Sequence, residues 1–306
     1  LRQCAEVLSP EDFDGVIVHG DTSTAFCAAH SAFLSRIPVF HVEAGLRTGD
    51  LEAPYPEEAN RQLIARIASV NFAPTELAKQ NLIREGIDES KIQVTGNTIV
   101  DSVRDLVLHG SLENLQSRGR EAAIEKVISA GNFALVTFHR RENAGDSFKA
   151  ALTAIASLAA ADPSFNWIFP VHPNPIIQNL ASSQFGKHPN VLCTEPLDYM
   201  VFLHALSRCK FAFTDSGGIQ EEGVTLGKRV FVLRSSTERP EGISTGLVQL
   251  VKSSASSIAS TLGEAIKSRE QRAGLNLESN PFGRGTASRD IKHIVKRFFS
   301  AYADEI

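Results

Sequence analysis

Three carboxylates in the first sixty residues follow apolar runs and stand where either chemistry or helix capping could account for them. Asp21 lies in His19-Gly20-Asp21-Thr22-Ser23-Thr24, directly after Gly15-Val16-Ile17-Val18-His19. It either caps the helix that follows, a role Asp fills well, or handles a ligand or a proton. Glu43, in His41-Val42-Glu43-Ala44-Gly45-Leu46-Arg47, has no structural task after a buried strand unless Arg47 takes it as an ion pair. Glu57 opens a helical stretch in Pro54-Tyr55-Pro56-Glu57-Glu58-Ala59-Asn60-Arg61. There the alternative to catalysis is a first-turn acid serving the helix dipole, behind a proline at the first helical position.

The second half of the chain carries the residue types that hold an anion. His139 and Arg140 lie in Phe138-His139-Arg140-Arg141-Glu142-Asn143, where two guanidiniums could clamp a phosphate. The alternative is a solvated turn. His172 repeats the strand-then-histidine arrangement in Val171-His172-Pro173-Asn174-Pro175, with a proline-braced turn as the alternative. The most informative cluster is Thr214-Asp215-Ser216-Gly217-Gly218-Ile219-Gln220-Glu221-Glu222. It joins a strand to a helix, and Gly217 and Gly218 leave backbone N–H groups open at the positive end of that helix, where a phosphate can sit. Glu222 lies one turn further in. An acid near a phosphate is costly unless it accepts from neutral hydroxyls, as a ribose diol would supply. Phosphate and ribose together mean a nucleotide, and Arg239, in Ser236-Thr237-Glu238-Arg239-Pro240-Glu241, is available to counter a diphosphate. Acid–base residues in the first half (Asp21, Glu43, Glu57), joined by His139, would then move protons on the uncharged sugar of a sugar nucleotide.

Short β-branched runs alternate with amphipathic stretches, which implies an α/β fold with parallel sheets covered by helices. Strands are expected near 15–19, 37–42, 70–72 and 92–94. A polar helical connection follows over 97–131, and a second series of strands begins at Phe133. The natural architecture is two Rossmann-like, doubly wound domains with an interdomain cleft. The first spans residues 1–100 and is joined by the terminal helix, 288–306; the second spans 101–287. Ligands in such sheets bind beyond the carboxyl ends of the strands, where the polar clusters fall.

Composition sets the outer limits. The chain has 306 residues, 42% hydrophobic and 22% charged, as in ordinary globular proteins. A net charge of -4 argues against nucleic acid or an anionic membrane as partner. No apolar run reaches the roughly 20 residues of a membrane span. Cys4, Cys27, Cys193 and Cys209 form no C-x-x-C pair, so neither a zinc site nor a disulfide framework is expected. Three of them sit in apolar contexts that suit small core residues. A cytoplasmic location follows from these readings.

The motifs match a known family. Val-His-Gly-Asp-Thr at 18–22, His-Val-Glu-Ala-Gly-Leu-Arg-Thr-Gly-Asp at 41–50, Pro-Glu-Glu-Ala-Asn-Arg at 56–61 and Thr-Gly-Asn-Thr at 95–98 resemble bacterial, non-hydrolysing UDP-N-acetylglucosamine 2-epimerases. So do His-Arg-Arg-Glu-Asn at 139–143, Pro-Val-His-Pro-Asn-Pro at 170–175, Thr-Asp-Ser-Gly-Gly-Ile-Gln-Glu-Glu at 214–222 and Thr-Glu-Arg-Pro-Glu at 237–241. The resemblance implies the glycosyltransferase-B architecture and reversible conversion of UDP-N-acetylglucosamine to UDP-N-acetylmannosamine for cell-surface polysaccharides. UDP would be eliminated to give 2-acetamidoglucal and then added back. It implies Asp21, Glu43 and Glu57 as acid–base residues, with His139 assisting departure of the diphosphate. Ser216, Gly217, Gly218, Glu222 and Arg239 would hold UDP, with Phe202 against the uracil. Arg140 and His172 match positions linked to a second, activating UDP-N-acetylglucosamine. No metal or cofactor is implied, and a homodimer is. A hydrolysing epimerase, a retaining glycosyltransferase and an inactive nucleotide-sugar binder are the competing readings. The family also begins with a strand and a Gly-Thr-Arg-Pro-Glu loop that nothing here matches, roughly a fifth of a full-length enzyme. The expectation is that a chain starting at Leu1 has little activity by itself, and that its true start lies upstream.

Overall fold

The runs ending at Val42, Thr137 and Thr214 form strands because their side chains are buried on both faces, as a helix-covered parallel sheet requires. The computed structural model describes residues 2–109, 120–138, 145–268 and 274–303. They fall into two compact units: residues up to Asp101 with those from Pro281 onward, and Ser102–Asn280.

The first unit opens with α1 (Arg2–Val7), β1 (Val16–His19), α2 (Ser23–Leu34) and β2 (Val39–Val42). It continues through α3 (Glu57–Ile67), β3 (Val70–Ala73), α4 (Glu76–Arg84) and β4 (Ile92–Val94). All pairings are parallel and consecutive, in the order β1-β2-β3-β4. On one face Val18 and Val39 pack with Ala29 and Ala32 of α2 and Ile64 of α3. On the other, Phe40 and Phe72 lie under the last helix of the chain, where Phe298 and Phe299 meet the Phe40 ring edge-on at 5.1 and 5.7 Å. That helix is fastened at its start by Asp101, whose carboxylate accepts from the Ala287 and Ser288 N–H groups at 3.0 and 2.8 Å. A negative charge at the positive end of a helix dipole stabilises both.

The expected polar helical connection is α5 (Thr98–Leu108) and α6 (Arg120–Ala130). The second series then runs β5 (Phe133–Thr137), α7 (Asp146–Ala161), β6 (Asn166–Pro170), α8 (Pro175–Phe185), β7 (Val191–Thr194) and α9 (Tyr199–Arg208). It ends with β8 (Phe211–Thr214), α10 (Gly218–Thr225), β9 (Arg229–Val232), α11 (Pro240–Ser244), β10 (Val248–Leu250) and α12 (Ala255–Lys267), before α13 (Ala287–Ala303) returns to the first unit. The sheet order is β10-β9-β8-β5-β6-β7, all parallel. The chain starts in the middle, moves outward to β7, and returns to the other side of β5 at β8. Connections therefore leave β5 and β8 in opposite directions, which opens a crevice at their carboxyl ends. Trp167, Phe169, Phe211, Phe213 and Phe231 anchor the core beneath it. Burying each such side chain stabilises by about 1.5–3 kcal/mol.

The cysteines are free thiols, but only Cys209 is fully buried. Cys193 is exposed because β7 is an edge strand. Among the described residues no helix is long and apolar enough to cross a membrane.

Candidate functional site

The crevice of the second unit holds a cavity of about 390 Å³. Thr137 reaches it from the end of β5, His172 from the loop after β6, and Tyr199 and Phe202 from one face of α9. Ser216, Gly218 and Glu222 reach it from the β8–α10 turn and α10. The turn is held by Thr214, whose hydroxyl oxygen accepts from Thr137 Oγ1 at 2.7 Å and from the Ser216 N–H at 2.9 Å. Gly217 and Gly218 serve different ends. A Cβ on Gly217 would lie 2.5 Å from Arg239 Nη1 and 2.8 Å from Glu238 Oε1, so a side chain there would collide with the segment beneath the turn. A Cβ on Gly218 would meet nothing within 4 Å, so its backbone faces open space at a helix N-terminus.

Arg239 is buried beneath that turn. Its guanidinium is paired with Glu221 and Glu238, each at 2.6 Å, and it does not line the cavity. The sequence sets this residue against a diphosphate; here its charge is engaged by two buried carboxylates and it braces the glycine turn.

Glu222 is buried and accepts a hydrogen bond from the Tyr199 hydroxyl at 2.9 Å. Burial pushes its carboxyl up to about 7, while the Tyr199 hydrogen bond acts in the opposite sense. Burial, and then the Glu222 charge, raise the Tyr199 phenol well above its ordinary range, so it remains a donor at neutral pH. Tyr199 belongs to none of the sequence motifs. The available signal was its position three residues before Phe202, which places both on one face of α9.

In the first unit, the capping alternative for Asp21 does not hold. Thr22 is the cap, its hydroxyl oxygen accepting from the Ala25 N–H at 3.1 Å. Asp21 is instead held by α3: its carboxylate accepts from Arg61 Nη2, and its carbonyl accepts from Asn60 Nδ2 at 2.9 Å. Gly20 turns the chain at a φ of +69°, and its carbonyl accepts from Nε2 of His41 at 2.9 Å. His41 is fully buried, and burial lowers it to about 4, so it is neutral at pH 7.

The ion-pair alternative for Glu43 fails as well. Arg47 makes a two-pronged contact with Glu85 at 2.7 and 2.8 Å. Glu43 faces His19 Nε2 at 3.3 Å and accepts from Asn97 Nδ2 at 3.3 Å. Its backbone is left-handed, with a φ of +67°. For a residue with a Cβ this costs about 1–2 kcal/mol, and such strain concentrates at functional positions.

Of the two acids opening α3, Glu58 does the structural work. It is fully buried, accepts from the Thr48 N–H at 3.1 Å, and pairs with Arg61 at 3.4 Å. Pro56 stands just outside the helix rather than in its first turn. Glu57 opens α3 one turn before Asn60 and Arg61, the residues that hold Asp21. Asp21 and Glu43 thus stand at the ends of neighbouring strands, with Glu57 on the helix that holds Asp21. His139 and Arg140 lie outside the described residues.

The family model described as UDP-N-acetylglucosamine 2-epimerase matches residues 1–296. A UDP-N-acetylglucosamine 2-epimerase of Salmonella typhimurium is 41% identical over 293 residues, covering 93% of this chain and 76% of that protein. The structure of UDP-GlcNAc 2-epimerase from Neisseria meningitidis, bound to UDP-GlcNAc, aligns with a TM-score of 0.86 at 38% identity, over 97% of this chain and 80% of that one. A protein of S. aureus solved with UDP gives a TM-score of 0.88 at 35% identity, over 98% and 80%. The two parallel-sheet units are the glycosyltransferase-B-like fold of these structures. Because the likeness runs through both units and nearly the whole chain, this protein is a member of the UDP-N-acetylglucosamine 2-epimerase family.

Proposed function

We propose that the chain interconverts UDP-N-acetylglucosamine and UDP-N-acetylmannosamine by eliminating UDP and adding it back. The observation that carries this reading is the second unit's cavity at its sheet's switch point. It pairs an open glycine turn for phosphate with a buried carboxylate, Glu222, for the ribose diol, and Phe202 offers a ring to the uracil. Relatives with the same fold are solved with UDP-GlcNAc or UDP.

A base removes the proton at carbon 2, and the electron pair of that bond forms the carbon 1–carbon 2 double bond. The bond from carbon 1 to the diphosphate oxygen breaks, and its electron pair leaves with UDP. In the return step a second group protonates carbon 2 from the opposite face while UDP rejoins carbon 1. Two faces require more than one proton-moving group, and Asp21, Glu43 and Glu57 provide them. The Arg61 and Asn60 contacts hold Asp21 in place, and the Asn97 contact orients Glu43. Amide donors of the Ser216–Gly218 turn stabilise the departing diphosphate, with His139 assisting. Arg239 acts through the turn it braces. His172, at the cavity, and Arg140 are assigned to an activating second UDP-N-acetylglucosamine.

Product chromatography tests the proposal. Incubation with UDP-N-acetylglucosamine should yield UDP-N-acetylmannosamine with no net loss of nucleotide sugar. Accumulation of free N-acetylmannosamine and UDP would establish a hydrolysing enzyme instead. Binding without turnover would establish an inactive nucleotide-sugar binder.

A further inference from the structure

The proposed UDP site contains a side-chain hydrogen bond between α9 and α10. Tyr199 sits in the first turn of α9, behind the Asp198 cap, which accepts from the Met200 N–H at 3.0 Å. Tyr199 lines the cavity and is 40% exposed, so its burial does little for the core. Its hydroxyl nevertheless reaches across to α10 and donates to Glu222 Oε1 at 2.9 Å. Glu222 is 6% exposed and faces the same cavity.

We infer that Tyr199 is a positioning residue that holds the Glu222 carboxylate in the orientation that reads the ribose diol of a uridine nucleotide; this rests on the nucleotide reading of the cavity. A carboxylate that accepts one hydrogen bond from a fixed phenol keeps its second oxygen and remaining lone pairs for two vicinal hydroxyls. Without the phenol the carboxyl can rotate, and burial favours its neutral form, which carries a donor of its own and mismatches two hydroxyl donors. The role of Tyr199 is therefore selectivity for ribose over deoxyribose, exerted through Glu222.

Calorimetric titration of the whole chain with UDP and with 2′-deoxy-UDP tests this. Wild-type protein should prefer UDP by about tenfold or more, the scale of one hydrogen bond to a charged group. Tyr199→Phe, which keeps the ring, should weaken UDP binding by about tenfold and leave 2′-deoxy-UDP binding nearly unchanged, so that the preference collapses. Glu222→Gln should show the same collapse. Two failures are distinguishable. A wild-type protein that does not bind UDP removes the nucleotide reading and this inference with it. A folded Tyr199→Phe protein that keeps the full preference, or loses affinity equally for both nucleotides, overturns the role of Tyr199 alone.

Discussion

Two adjacent glycines with opposite surroundings test where the phosphates of a nucleotide rest. In Gly217→Ala the new methyl would lie 2.5 Å from Arg239 Nη1 and 2.8 Å from Glu238 Oε1, both closer than the 3.0 Å that real Cβ atoms respect. Neither neighbour can swing away cheaply. Both side chains are buried, and Arg239 is pinned between Glu238 and Glu221 at 2.6 Å each. Overpacking of this kind costs about 1–3 kcal/mol. At about 2–4 °C per kcal/mol for a unit of this size, the loss in Tm is several degrees. In Gly218→Ala the methyl meets no atom of the protein within 4 Å, and alanine in a helix is favoured over glycine by up to about 1 kcal/mol. Its Tm should be unchanged or slightly raised. The same methyl stands on the side from which a phosphate would approach the turn, so UDP affinity should fall by at least about tenfold, or 1.4 kcal/mol. Thermal unfolding and calorimetric UDP titration of both variants separate these effects. A stable Gly218→Ala protein with unaltered UDP affinity would refute the placement of phosphate at this turn. A Gly217→Ala protein with wild-type Tm would refute the brace.

In the first unit, Asp21→Asn, Glu43→Gln and Glu57→Gln should each lower turnover by about 10²–10⁴ while leaving UDP affinity near wild type, because the proposed mechanism sets them on the sugar. A fully active Glu57→Gln protein would remove that residue from the mechanism. Glu222 should also leave a mark on stability. Its carboxyl titrates near 7 when folded against an ordinary value of 4.5, so the folded state holds the extra proton between those values. The stability this group contributes is intact below about pH 4.5 and is lost as pH rises through about 7, a change on the order of 3 kcal/mol. Glu222→Gln removes that slope, and its Tm relative to wild type should rise between pH 5 and pH 8. A constant difference across that range would show that Glu222 does not titrate there.

Much of this fold is visible in the chain because its strands are short apolar runs with polar clusters at their carboxyl ends. Val39-Phe40-His41-Val42 and Phe211-Ala212-Phe213-Thr214 show this plainly. The turn before α10 is legible through Glu222 one turn beyond it; the glycine pair alone would not mark it, and Gly217 is a glycine for packing against Arg239 and Glu238. Pairings over long separations are not legible. Arg47 lies near Glu43 in sequence but pairs with Glu85, while Glu43 meets His19 and Asn97. Asp21 has the residue type of a cap, yet the neighbouring Thr22 takes the role, and Asp21 is released to Arg61, forty residues on. Arg239 resembles a free cation in the sequence; only the fold shows Glu221 meeting it from α10. Tyr199 is a helix-start aromatic in the sequence and a partner of Glu222 in space, because α9 and α10 flank one crevice.

In the proposed reaction carbon 2 of the sugar loses and regains a proton. This is tested by incubating the protein with UDP-N-acetylglucosamine in deuterium oxide and following the carbon 2 hydrogen by NMR. The mechanism predicts that UDP-N-acetylmannosamine appears with deuterium at carbon 2, and that the remaining UDP-N-acetylglucosamine acquires deuterium there as the reaction reverses. Formation of UDP-N-acetylmannosamine with its original hydrogen retained would contradict the elimination and re-addition of UDP.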